Sequence, residues 1–165
     1  MKRVLVTGMS GTGKSALLDE LAARGYQAVD TDYGDYHEMA DGERLWRRDR
    51  MEALLSTPRA GAQDVLFVQG TTRDQGSFYP WFDDIVLLSA PVPVLVERLR
   101  TRTTNSYGKN PAELAETLEY VRTVEPLLRA SATLEVVTTV PASAVADIVL
   151  AHVLRSRVGP SPTTS

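Results

Sequence analysis

The chain has 165 residues, of which 43% are apolar and 24% charged, and its formal net charge is −3. That length buries a core without covalent staples, and the absence of cysteine removes disulfide frameworks, thiolate nucleophiles and cysteine–zinc sites. Slight acidity leaves no basic field of the kind that grips a duplex, so no nucleic-acid partner is expected.

Met1-Lys2-Arg3 is basic, but only Val4-Leu5-Val6 follow as an apolar stretch, so no signal peptide is expected. The longest uncharged apolar run, Ile85 to Val96, has twelve residues and two prolines, too short to span a bilayer. A cytoplasmic chain without a membrane partner is the expectation.

Val4-Leu5-Val6 predicts a first strand, and it runs into Gly8-Met9-Ser10-Gly11-Thr12-Gly13-Lys14-Ser15, a complete G-x-x-x-x-G-K-[ST] match. Glycines let successive backbone N–H groups curl inward onto phosphate oxygens. Lys14 reaches the β- and γ-phosphates, the Ser15 hydroxyl can ligate Mg²⁺, and the following helix adds its positive dipole end. Gly8, Gly11, Thr12, Gly13, Lys14, Ser15 and Ala16 are therefore candidate contacts of a nucleoside triphosphate. Leu17, Leu18, Leu21 and Ala22 form the apolar stripe of that helix, and Gly25 reads as its C-terminal cap.

Ala28-Val29 predicts the second strand, with Asp30 and Asp32 at its C-terminal end. Residues two apart on a strand point the same way, so both carboxylates face one site beside the phosphate loop. One supports Mg²⁺ or substrate and the other accepts a proton from a substrate hydroxyl, Asp30 and Asp32 respectively. Leu45, Trp46, Leu54 and Leu55 predict a second helix, rich in arginine and acidic residues. Val65-Leu66-Phe67-Val68 predicts the third strand. It ends in Gln69-Gly70, without the acid that hydrolases and switch GTPases place there, which disfavours a motor or a switch. The segment from Gln69 to Gly76 leaves a central strand at the end where ligands bind, so Gln69, Gly70, Thr71, Thr72, Arg73 and Gln75 are candidate substrate contacts. Tyr79, Trp81 and Phe82 wall the same pocket or cover the core.

Ile85-Val86-Leu87-Leu88 and Leu134-Glu135-Val136-Val137 complete five strands. Helical spacing recurs at Val94, Leu95 and Leu99, along one long stretch from Leu114 to Leu128, and from Val145 to Val153. Strands alternating with helices imply an open, mostly parallel α/β sheet in one domain over 1–155, with 156–165 a disordered tail.

The loop followed by Asp-x-Asp resembles the small P-loop kinases: the shikimate kinase, gluconate kinase and nucleoside monophosphate kinase group. Gly42-Glu43-Arg44-Leu45-Trp46-Arg47 is similar to the Gly-Glu-x-x-Phe-Arg stretch of shikimate kinase, which implies that Arg47 grips a substrate carboxylate. Val96 to Arg102 resembles the helix leading into the lid of adenylate-kinase-like enzymes. The stretch around 102–111 reads as a short lid, with Lys109 a candidate phosphate contact. The resemblance implies Arg98 on the adenine and Arg102 as the catalytic arginine at the transferring phosphate. It also implies a three-layer α/β/α fold with a five-stranded parallel sheet in the order 2-3-1-4-5, ATP and Mg²⁺ as cofactors, and Lys14, Asp32 and Arg102 as the catalytic set. Shikimate kinase carries a glycine triplet where this chain has Gln69-Gly70-Thr71, so shikimate itself does not follow.

The expected activity is transfer of the γ-phosphoryl group of ATP to a hydroxyl of a small polar metabolite, by a monomer or homodimer. A nucleoside or nucleotide kinase on the same fold, or a nucleotide-binding regulatory protein without chemistry, are the alternatives.

Overall fold

The computed structural model describes residues 1–57 and 63–155, so the tail expected over 156–165 lies outside the described residues. Seven strands are found among them: β1 (Lys2–Thr7), β2 (Gln27–Asp30), β3 (His37–Ala40), β4 (Glu43–Trp46), β5 (Val65–Gln69), β6 (Asp84–Ser89) and β7 (Leu134–Val137). Five of them form one sheet in the order β2-β5-β1-β6-β7, every neighbouring pair parallel. Numbered among themselves, those five have the expected order 2-3-1-4-5.

The continuous apolar runs are explained by burial on both faces. Val4, Val6, Val65, Phe67, Val86 and Leu88 turn to one side, where α1 (Lys14–Ala23) and α6 (Ala142–Arg155) supply Leu17, Leu21, Val145, Val149 and Val153. Leu5, Leu66, Val68 and Ile85 turn to the other, meeting Met51, Leu54 and Leu55 of α2 (Arg48–Ser56). The remaining helices are α3 (Val92–Thr101), α4 (Pro111–Thr123) and α5 (Glu125–Ser131). Helix α1 stops as expected: Gly25 takes φ 90°, its N–H bonds the Ala22 carbonyl and that of Tyr26 the Leu21 carbonyl, a Schellman closure.

Two expectations are corrected. Leu45 and Trp46 lie on β4, not on the second helix. Residues 37–46 are an antiparallel hairpin whose two-residue turn, Asp41-Gly42, has φ 51° and 76°, the left-handed pair that matches strand twist. The long helix expected from Leu114 to Leu128 is two helices, because Pro126 cannot donate a helical hydrogen bond and α5 restarts around it.

The hairpin reaches back to the sheet through Trp46. Its indole is 1% exposed, meets Phe78 edge-on at 5.5 Å between centroids, and donates to Thr31 Oγ1 at 3.0 Å. Gly70 permits this approach: a Cβ there would lie 2.4 Å from Thr31 Oγ1 and 2.6 Å from Trp46 Cζ2. Tyr79, Trp81 and Phe82 pack on the same cluster, so they cover the core rather than wall the cleft. Among the described residues no helix is long and apolar enough to cross a membrane.

Candidate functional site

The C-terminal ends of the parallel strands open into a cleft of about 720 Å³ lined by the loop after β1, the end of β2, Gln69, the end of α3 and the segment after β7. A parallel sheet with helices on both faces leaves its binding crevice at that end. Gly8, Gly11 and Gly13 all have positive φ, and the loop they shape delivers the chain into α1 with Gly13 at the N-cap. No side chain caps that end, so the first N–H groups of α1 remain available to an anion. Ser15 and Ala16 are exposed on the first turn and line the cleft. Thr12 is turned inward instead. Its hydroxyl donates to the Met9 carbonyl at 2.8 Å, and its carbonyl accepts from Thr138 Oγ1 at 2.7 Å, so it braces the loop.

Lys14 is folded back over the loop, donating to the carbonyls of Gly8 at 2.6 Å and Met9 at 3.0 Å. Burial lowers its pKa to about 8, while Asp32 and then Asp30 pull it up and Arg102 pushes it further down. The ammonium, the two acids and Arg102 therefore share one electrostatic neighbourhood.

Asp30 and Asp32 are brought together as expected, but by a turn and not by strand alternation, since Asp30 ends β2 and Asp32 lies in the turn beyond it. Asp30 Oδ1 accepts from the Asp32 N–H at 2.9 Å, and Asp30 Oδ2 accepts from Ser15 Oγ at 3.3 Å. Gln69, 1% exposed and paired in register with Asp30, donates from Nε2 to Asp30 Oδ1 and to Asp32 Oδ2 at 3.1 Å. Asp32 Oδ1 lies 3.6 Å from the guanidinium of Arg44. No group of three or more His, Cys, Asp or Glu gathers as a metal site among the described residues. A hydroxyl and a carboxylate side by side at a phosphate loop nonetheless fit Mg²⁺, which keeps most of its waters and takes one or two protein oxygens.

Arg102 caps α3 and points across the cleft. It donates to the carbonyls of Tyr107 and Asn105, and its guanidinium reaches Ser10 Oγ at 3.4 Å. Arg98 also lines the cleft, but its donors are engaged by the carbonyls of Gly11 and Thr138 and by Thr138 Oγ1. It thus ties the phosphate loop to the segment after β7. The expected lid residues join α3 to α4, and Lys109 donates to the Arg100 carbonyl at 3.2 Å, outside the cleft lining.

Six expected substrate contacts, Arg47, Gly70, Thr71, Thr72, Arg73 and Gln75, do not line the cleft. Arg47 stands at the N-cap of α2 between Asp35 and Asp49, Arg73 pairs with Glu43 on the hairpin, and Gly70 meets Trp46. Sequence reading overlooked Tyr33 and gave Arg44 no role. Tyr33 is exposed and lines the cleft, and Thr71 Oγ1 accepts from the Gly8 N–H at 3.2 Å. The Asp-Gly turn signal at Asp41-Gly42 was the available clue to Arg44, since it places that residue on a hairpin face two positions from Trp46.

The profile of the AAA domain family matches residues 4–119. No curated protein matches the sequence. Among solved structures, the chain is similar to a shikimate kinase from Acinetobacter baumannii in complex with shikimate, at 17% identity and a TM-score of 0.66, covering 96% of each chain. A gluconokinase from Sinorhizobium meliloti aligns at 21% identity and a TM-score of 0.59, over 94% of this chain and 93% of that one. A sugar kinase from Janibacter aligns at 18% and 0.59, over 96% and 99%. Identities this low establish a shared fold.

Proposed function

This chain belongs to the AAA domain family, and from that premise we propose that it is an ATP-dependent phosphotransferase moving the γ-phosphoryl group to a hydroxyl of a small polar metabolite. The observation that carries the reading is the meeting of Lys14, the Asp30–Asp32 pair and Arg102 around one cleft. The shared fold with a shikimate kinase, a gluconokinase and a sugar kinase supports it. A hydrolase would need only a water-orienting group, whereas an exposed carboxylate beside the phosphate loop suits a proton-bearing acceptor.

The residues divide the work by position. Loop N–H groups and Lys14 hold the phosphates, with Lys14 leaving its two carbonyl partners for the incoming oxygens. Ser15 and Asp30 would hold Mg²⁺, which would supply neutralisation of the phosphate charge. Asp32 accepts the proton as the acceptor oxygen bonds to γ-phosphorus, and the bond to the bridging oxygen breaks with its electrons going to ADP. Arg102, a planar cation reaching from the lid side, balances the charge spread over the transferring group.

The test is transfer of labelled γ-phosphate from Mg·ATP into a pooled set of hydroxylated metabolites, antibiotics and nucleosides, with Lys14→Ala as control. A labelled product that vanishes in the variant is expected, and its acceptor names the substrate class. Labelled inorganic phosphate alone, produced at the same rate with and without the pool, would overturn the reading.

A further inference from the structure

The end of β5 carries an amide where phosphate-loop hydrolases carry an acid, and the nitrogen of that amide is fully engaged. Gln69 Nε2 has two protons and bonds two carboxylates, Asp30 Oδ1 and Asp32 Oδ2. Its Oε1 is buried and has no hydrogen-bond partner. A buried carbonyl oxygen left without a donor is costly, so the amide would turn over if both orientations were equivalent. They are not. The opposite orientation would set the oxygen against two anions and leave both carboxylates without their shared donor. The orphaned oxygen is therefore the consequence of a donor held where two acids need one.

We propose that Gln69 is a positioning residue: its two amide protons hold Asp30 and Asp32 side by side, with Asp30 turned onto Ser15 and Asp32 toward the acceptor. The assignment rests on the phosphotransferase reading for Asp32, but not for the Asp30–Ser15 pair. It also explains the missing acid. A carboxylate at this buried strand end would be the third in contact and would drive the pair apart, whereas an amide lets the two approach. Asp30 and Gln69 are in register on neighbouring parallel strands, so this contact is built into the sheet and does not depend on a loop. Gln69 thus acts through the carboxylates, which differs from its expected part as a substrate contact.

The experiment measures ADP affinity by calorimetry, with and without Mg²⁺, on the full chain and on Gln69→Met, which keeps length and loses both donors. Metal-free affinity should be unchanged, and the gain in affinity on adding Mg²⁺ should fall by about 10- to 100-fold, the range typical for loss of a partner behind a metal ligand. In an Asp30→Asn background the same change should have no further effect, since the two act as one unit. An undiminished Mg²⁺ gain, or additive losses in the double variant, would overturn the assignment. So would equal losses with and without metal together with a lowered melting temperature, the mark of a purely structural role. Because this readout uses no acceptor, it fails or succeeds independently of the transfer reaction. Where transfer is measurable, Gln69→Met should lower kcat and leave the acceptor KM unchanged. A raised KM at constant kcat would make Gln69 a substrate contact instead.

Discussion

Nucleotide affinity should weaken above pH 8, because the lysine of the phosphate loop loses its proton there in the empty cleft. Burial brings the Lys14 pKa down from 10.5 to about 8, against the opposing pull of Asp32 and Asp30. Polyphosphate oxygens around the ammonium favour its charged form, so binding raises the pKa again and takes up a proton. The sign follows: the protonated lysine binds, and affinity falls as pH rises through the free-site value. If the bound pKa returns to its ordinary range, ADP should bind about tenfold more weakly at pH 9 than at pH 7. At pH 8 binding should take up roughly half a proton, since half the free lysine is then neutral. Calorimetry in two buffers of different ionisation enthalpy reads the uptake directly, and titrations from pH 7 to 9.5 read the slope. Lys14→Arg, charged throughout, should flatten the slope whatever it does to absolute affinity. Zero uptake at pH 8 with a flat affinity profile in the wild-type chain would refute the reasoning.

Asp32→Asn should leave ADP affinity unchanged while lowering phosphate transfer roughly 10²- to 10⁴-fold, the span expected when a positioned base is lost; full initial rates would move that role to another group. Gly70→Ala should destabilise the fold by about 1–3 kcal/mol in urea titrations, because the new methyl meets Thr31 Oγ1 at 2.4 Å and Trp46 Cζ2 at 2.6 Å. An unchanged unfolding midpoint would contradict that contact.

Local chemistry was legible wherever it is written in consecutive residues. The loop from Gly8 to Ser15, the Schellman glycine at position 25 and the five parallel strands each depend on backbone conformation or on a short apolar run. Continuous runs such as Val65 to Val68 announced strands covered on both faces, and the sheet order followed from the resemblance those elements carried. The hairpin was missed although Asp41-Gly42 signalled it, because Leu45 and Trp46 were grouped with Leu54 and Leu55, nine residues on, where a helix has turned through half a circle and presents its opposite face. Periodicity over so few residues fits either element, and the turn should have decided. Pro126 was likewise in plain view inside the stretch read as one helix.

Pairwise roles of distant side chains were not legible. Arg47 and Arg44 stand three residues apart in one motif, yet one is held outside the cleft by Asp35 and Asp49 and the other lies against Asp32. Their directions follow from the hairpin's pleat and the start of α2, which no local spacing encodes. Gln69 looked like a substrate contact because it ends a central strand, and only the parallel register with β2 put its amide between two carboxylates. Sequence alone determined the phosphate loop, the acids beside it and the layered sheet, since each is set by backbone chemistry within a few residues. The partner of each acid and arginine was decided by tertiary structure, because it depends on which strands lie side by side and in what register.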